Sequence, residues 1–141
     1  MADGNARKVI EIKPTEWSDK VASHLEAAPQ TDPTISGLDW HKQCLDDGKT
    51  RLFGVYINGE HKASMLCCVY EADNGAEFIV EVIGGDDGHA GVMDGLSGIT
   101  ELAKQASCQV VRFNTSRKGL AHIAEQNGYK LSEFVLRKEV E

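Results

Sequence analysis

The stretch "RLFGVYINGEHKASMLCCVYEADNGAEFIVEVIGG" (51–85) constrains the fold of this chain more than any other. Three β-rich runs, about 51–57, 62–71 and 76–83, are separated by "NGE" and "DNG". Asn58-Gly59 is the dipeptide that a two-residue type I′ turn requires, because both central residues must take positive φ. Turns of this kind join neighbouring antiparallel strands. The segment therefore predicts a three-stranded antiparallel meander.

The flanking segments carry helical and strand periods. "RKVIEIK" (7–13) alternates like a short strand. "PTEWSDKVASHLEAA" follows, with Trp17, Val21, Leu25 and Ala28 at helical spacing and Thr15 as its predicted cap. "PQTDPT" breaks the chain, and Ile35, Leu38 and Leu45 mark a second short helix ending near Gly48. Beyond the meander, residues 91–106 read as a helix. Gly91, Gly95, Gly98, Leu102 and Ala106 share one arc, with Val92, Leu96, Ile99 and Ala103 beside them and Asp94, Ser97, Glu101 and Lys104 opposite. Each glycine inside a helix costs ~0.5–1 kcal/mol relative to alanine. Three on one side imply a close approach of the helix backbone, either to a sheet or to a ligand.

"QVVRFN" (109–114) predicts another strand and "TSRKGLAHIAEQNGY" another helix, capped by Ser116. Leu120, Ile123, Ala124 and Asn127 form its inner face, and Gly128 stands at the left-handed C-cap with Tyr129 packing after it. "KLSEFVLRKEV" (130–140) predicts a closing strand. The order β-α-α-β-β-β-α-β-α-β implies an α/β (α+β) fold, with a mixed, mostly antiparallel central sheet and helices on both faces. At 141 residues the chain is expected to form a single domain, 1–141.

Charge and composition narrow the function. A net charge of -7, spread without an acidic tract, argues against nucleic acid as a partner and reads mainly as solubility. No apolar run approaches the ~18 residues of a membrane span, and "MADGNARKVIEIK" lacks the apolar stretch of a signal peptide. No membrane association and a cytoplasmic location are the resulting expectations. Cys44, Cys67, Cys68 and Cys108 include no C-x-x-C pair, and they read as reduced, buried thiols with no metal site. His61, beside a hairpin turn, and His122 read as surface residues. No G-x-S-x-G, H-E-x-x-H, Walker or G-x-G-x-x-G pattern occurs.

The order of elements resembles the GNAT superfamily of acyl-CoA-dependent N-acetyltransferases over most of the chain. In that family the fourth strand leads into a pyrophosphate loop, [QR]-x-x-G-x-[GA]. Here "GDDGHA" (85–90) stands at that place, with Gly88 and Ala90 on the two small positions. "NGY" (127–129) looks like the family's "GF" turn. The resemblance implies that Gly85, Gly88, His89, Ala90 and Gly91 would hold acetyl-CoA. It also implies that Glu77 or Glu81, expected to share a strand face with Ile79 and Ile83, would serve as general base.

Three positions depart from the family pattern. Gly85 replaces Gln or Arg, Ala124 stands where a tyrosine acid is common, and Asp86 and Asp87 bring negative charge beside the pyrophosphate position. At ~5 Å and an effective dielectric of 20, each like-charge pair costs about 3 kcal/mol before screening. These departures favour a scaffold with an eroded cofactor site and no cofactor. It would act as a protein-binding or structural component, similar to small GNAT-like proteins of tailed bacteriophages, in a virion or at a host factor. A homo-oligomer is compatible with that role. The alternative is an active acetyl-CoA-dependent N-acetyltransferase that uses Glu77 or Glu81.

Overall fold

The chain is described by a computed structural model that covers residues 8–28, 37–86, 90–115, 118–138 and 140. Its elements are β1 (Ile10–Pro14), α1 (Asp19–Ala27), α2 (Leu38–Asp46), β2 (Arg51–Ile57), β3 (Glu60–Ala72), β4 (Gly75–Gly85), α3 (Ala90–Gln105), β5 (Val110–Phe113) and α4 (Lys118–Gln126). The strands form one sheet in the order β1-β2-β3-β4-β5, with every pair antiparallel except β4–β5. The mixed, mostly antiparallel sheet between helices is the architecture that the sequence predicts. Asn58 and Gly59 take φ of 52° and 84°, as the turn between β2 and β3 demands.

One face of the sheet meets α3 and α4. Phe53, Val55, Met65, Phe78, Val80 and Ile83 pack there against Val92, Leu96, Ile99 and Leu120. The helix glycines let α3 settle onto the strands. A Cβ on Gly95 would come within 3.0 Å of Ile83 and Val55, and one on Gly98 within 2.7 Å of Ile12. Of the two readings open from sequence, close helix-on-sheet packing is the one found for these two. The other face meets α1 and α2, where Val21, Leu25 and Ala28 pack on Leu52, Leu66 and Val82. Gly84 is needed on this face, since a Cβ there would collide with the backbone carbonyl oxygen of His24.

A bulge interrupts β4. Leu66 pairs with Val82 and Cys67 with Val80, so Glu81 is the extra residue. An inserted residue reverses which face the following side chains take. Ile83 accordingly joins the α3 side, and does not share the face of Glu77 and Glu81 as expected.

Two further expectations are corrected. The cap of α1 is Ser18, whose Oγ accepts from the Val21 N–H at 3.2 Å. Thr15 is instead engaged with the Tyr56 hydroxyl at 2.9 Å, and the residue before it still pairs in β1. The predicted strand at 130–140 is absent, because residues 130–138 join no ladder. They run as extended chain with Phe134 83% and Leu136 93% exposed. The end of α4 is as predicted: Gly128 has φ 92°, and the Tyr129 N–H donates to the Ala124 carbonyl at 3.1 Å. Ile35 and Ser116 lie outside the described residues. No helix among the described residues is long and apolar enough to cross a membrane.

Candidate active site

The strands β4 and β5 pair only from Glu77↔Val110 to Val80↔Phe113, after which β5 ends and β4 continues to Gly85. Past that point the backbone of 81–85 has no strand on its β5 side among the described residues. A fork opens there, offering backbone donors and acceptors that a ladder would otherwise occupy. The bulge residue Glu81 stands at its root. Bulges at such places re-aim a side chain and end pairing.

Glu81 points to the α1/α2 side. The Cys68 thiol donates to its Oε1 at 3.1 Å. Partial burial, and then the Glu81 carboxylate, push that thiol up to about 12. His41 of α2 is buried close by, its pKa lowered by burial while the charge of Glu81 works against that shift. Glu77 is placed differently. Its Oε2 lies 3.3 Å from the Arg112 Nε on β5, close enough for charge attraction but outside hydrogen-bond geometry. The structure thus separates the two candidate bases: Glu77 is tied to β5, and Glu81 stands with a thiol and a histidine at the fork.

The loop residues divide as well. A Cβ on Gly85 would meet the Lys62 carbonyl oxygen at 2.8 Å, and one on Gly91 would meet it at 3.2 Å. Contact with β3 is therefore sufficient reason for glycine at both positions. Asp87, Gly88 and His89 lie outside the described residues, and Ala90 opens α3, whose first turn contains no acidic residue.

Asp86 is not where the sequence reading put its charge. Its N–H donates to the Lys62 carbonyl at 3.0 Å, and its carboxylate turns onto α1. Oδ1 accepts from His24 Nε2 at 2.6 Å, and Oδ2 lies 3.9 Å from the Lys20 Nζ. Half of the expected repulsion at the loop is thereby directed into a charge-assisted contact with the helix.

That contact belongs to a buried chain of polar groups that the sequence reading did not identify. His24 Nδ1 lies 2.8 Å from the Ser64 Oγ, and the same oxygen lies 2.9 Å from His61 Nε2. One proton arrangement satisfies every group: His61 donates to Ser64, Ser64 donates to His24, and His24 donates to Asp86. His61 stacks on Tyr56 with ring centroids 4.8 Å apart, and its pKa is lowered by burial and then by His24 and Lys20. It is half-buried, not the surface residue expected. Gly54 makes the room, because a Cβ there would come within 2.7 Å of Tyr56 and Thr15. Ser64 is 0% exposed, so this Asp–His–Ser order braces α1 against the sheet and presents no nucleophile. One signal was available: His24 follows Val21 by three residues, on the apolar side of its helix.

No protein-family profile matches the chain, and no curated protein sequence matches it. Solved structures do. A glucosamine-6-phosphate N-acetyltransferase from Arabidopsis thaliana is 16% identical with a TM-score of 0.60, covering 94% of this chain and 99% of that one. The aminoglycoside N-acetyltransferase AAC(6')-Iy in complex with CoA is 11% identical at 0.59, with 96% and 97% covered. A transcriptional regulator from Bacillus halodurans C-125 is 15% identical at 0.65, with 94% and 100% covered. The fold is that of the GNAT acetyltransferases.

On this GNAT scaffold the fork between β4 and β5 is followed directly by the stretch that resembles the pyrophosphate loop. The position of the family's tyrosine acid is held by Ala124, which is buried. Tyr129 is no substitute. Its hydroxyl donates to the Leu96 carbonyl of α3 at 2.8 Å, its ring meets Phe113 edge-on, and burial pushes it up to about 12. The GNAT-like turn at 127–129 therefore joins α4 to α3 and supplies no acid. Likenesses at these identities establish the scaffold alone.

Proposed function

We propose that this chain is an acyl-CoA-dependent N-acyltransferase, with its cofactor in the fork between β4 and β5 and Glu81 as general base. The observation that carries the reading is the place of Glu81, on a bulge where β4 outruns its partner strand. The turn of Asp86 onto His24 and Lys20 supports it, by drawing one carboxylate away from the phosphate position. Backbone groups of 81–85 would hold the extended arm of the cofactor, and the first turn of α3 would face its phosphates. When bound, the cofactor supplies an acyl group activated as a thioester.

Glu81 accepts a proton from the acceptor amine on the α1/α2 side of the sheet, as that nitrogen bonds the acyl carbon and the C–S bond breaks. The thiolate released takes its proton from solvent. A carboxylate placed for this work contributes about 10²–10⁴-fold. The Cys68 thiol stays protonated at neutral pH, so it steadies Glu81 by donating to it and does not compete as a nucleophile. CoA in the complex with AAC(6')-Iy agrees in cofactor class.

A second reading has its own observation. Ala124 offers no phenol where the resemblance places one, and the Tyr129 hydroxyl is engaged with the Leu96 carbonyl, so neither position protonates the leaving thiolate. The same scaffold would then be a non-catalytic protein-binding or structural component. A phage particle or host factor draws no support from the structures named above. Calorimetric titration with acetyl-CoA separates the two readings. Binding with a Kd of about 1–100 μM is expected for the transferase, and the absence of heat at about 1 mM ligand would leave the binding scaffold.

A further inference from the structure

Asp86 directly follows β4, and neighbours on two elements fix it. Its N–H donates to the Lys62 carbonyl of β3 at 3.0 Å. Its Oδ1 accepts from His24 Nε2 at 2.6 Å, and its Oδ2 lies 3.9 Å from the Lys20 Nζ. The helix α1 comes this close because β4 has glycine beneath it: a Cβ on Gly84 would collide with the His24 carbonyl oxygen. His24 is 1% exposed, and its Nδ1 lies 2.8 Å from the buried Ser64 Oγ. Both ring nitrogens are thus engaged, and the imidazole has one orientation.

The Asp86 side chain is 36% exposed, so water could solvate it without help from a buried ring. What the contact adds is direction. The first turn of α3 contains no acidic residue, and the free N–H groups of a helix start attract an anion within reach. Among the described residues, Asp86 is the last carboxylate before that turn. Released from α1, it would turn toward the helix end and compete with a phosphate there.

We propose that His24 and Lys20 of α1 set the affinity for the cofactor by holding the Asp86 carboxylate away from the start of α3. The inference rests on the reading of the fork as an acyl-CoA site, and it adds control from a helix on the other face of the sheet. His24 is a positioning residue: it touches no part of the cofactor and acts only through Asp86. This differs from simple bracing in what each end does when removed. Loss of His24 frees a negative charge beside the phosphates, whereas loss of the Asp86 side chain removes that charge together with the contact. A brace would suffer equally from either.

Calorimetric titration of the full chain tests it, with acetyl-CoA and with acetyl-pantetheine, which has the thioester and arm but no phosphate. The unaltered chain is expected to bind acetyl-CoA with a Kd of about 1–100 μM. His24→Ala should weaken acetyl-CoA about 10- to 100-fold and leave acetyl-pantetheine within about twofold. Asp86→Ala should bind acetyl-CoA at least as tightly as the unaltered chain, and the double variant should recover the loss. Lys20→Ala changes a half-exposed side chain and keeps the test open if His24→Ala folds poorly. It should weaken acetyl-CoA about 2- to 5-fold with an unchanged far-ultraviolet circular dichroism spectrum. Equal weakening by His24→Ala and Asp86→Ala overturns control from α1 and leaves the cofactor site standing. So does unchanged acetyl-CoA binding in His24→Ala, or an equal loss of both ligands. No acetyl-CoA binding by the unaltered chain at about 1 mM overturns both readings.

Discussion

The two faces of the sheet differ in what they bury. Against α3 and α4 lie side chains such as Phe53, Val55, Met65, Val80, Leu96 and Ile99, with helix glycines filling the closest approaches. Against α1 and α2 a smaller apolar cluster shares the face with His24, Ser64 and His41, all buried. The first interface needs only matching shapes, whereas the second needs a partner for each polar group. Groups held by specific partners are the ones that can do chemistry. The bulge at Glu81 lets one strand serve both faces, turning Ile83 into the dry core and leaving Glu81 with Cys68 on the polar side.

The contrast can be broken most severely at Glu81. Glu81→Gln is expected to lower acyl-transfer turnover by about 10²–10⁴-fold while leaving acetyl-CoA binding intact, read by thiol release and calorimetry together. Equal loss from Glu77→Gln would reverse the assignment of roles.

On the dry face, Leu96→Ala should cost ~2–5 kcal/mol in urea unfolding, because Leu96 is 0% exposed and α3 is held close to the sheet. On the polar face, His24→Ala leaves Ser64 and Asp86 without their shared partner and should cost ~1–3 kcal/mol. A His24/Asp86 double-mutant cycle should show coupling, and additive losses would mean that the contact braces nothing.

The smallest effect is the dependence on acid. The pKa values of His41 and His61 are lowered from 6.5 in the folded chain, by burial first in both cases. The unfolded chain therefore binds protons more readily. Stability from these groups is fully present above pH 6.5 and is lost as pH falls below it. Urea midpoints measured between about pH 7.5 and about pH 5 should fall less in His61→Gln than in the unaltered chain. In Leu96→Ala the fall should be unchanged, since among the described residues neither histidine with a lowered pKa packs on that face.

The sequence made legible whatever is decided locally. Asn58-Gly59 requires its turn, the Val92-Leu96-Ile99 arc requires a buried helix, and Gly128 ends α4 by its positive φ. Features decided by a distant partner were not legible. The destination of Gly95 and Gly98 depends on side chains from β1, β2 and β4. The bulge exists only in the pairing of β3 with β4, which is why Ile83 was expected on the wrong face. Asp86 finds His24 across 62 residues, and its charge could not be aimed from its neighbours. The 130–140 segment has the composition of a strand, but a ladder needs a second strand in reach.

Glu81 was a candidate from sequence as one of two carboxylates, and its separation from Glu77 came only with Cys68, His41 and Arg112 in space. The fork itself, a difference in length between two paired strands, leaves no local mark.

Hydrogen–deuterium exchange with and without about 1 mM acetyl-CoA tests occupancy of that fork most directly. Slower exchange is expected at the amides of 81–86 and in the first turn of α3, with 131–136 unchanged. Unaltered exchange at 81–86, or protection confined to 131–136, would contradict a cofactor between β4 and β5.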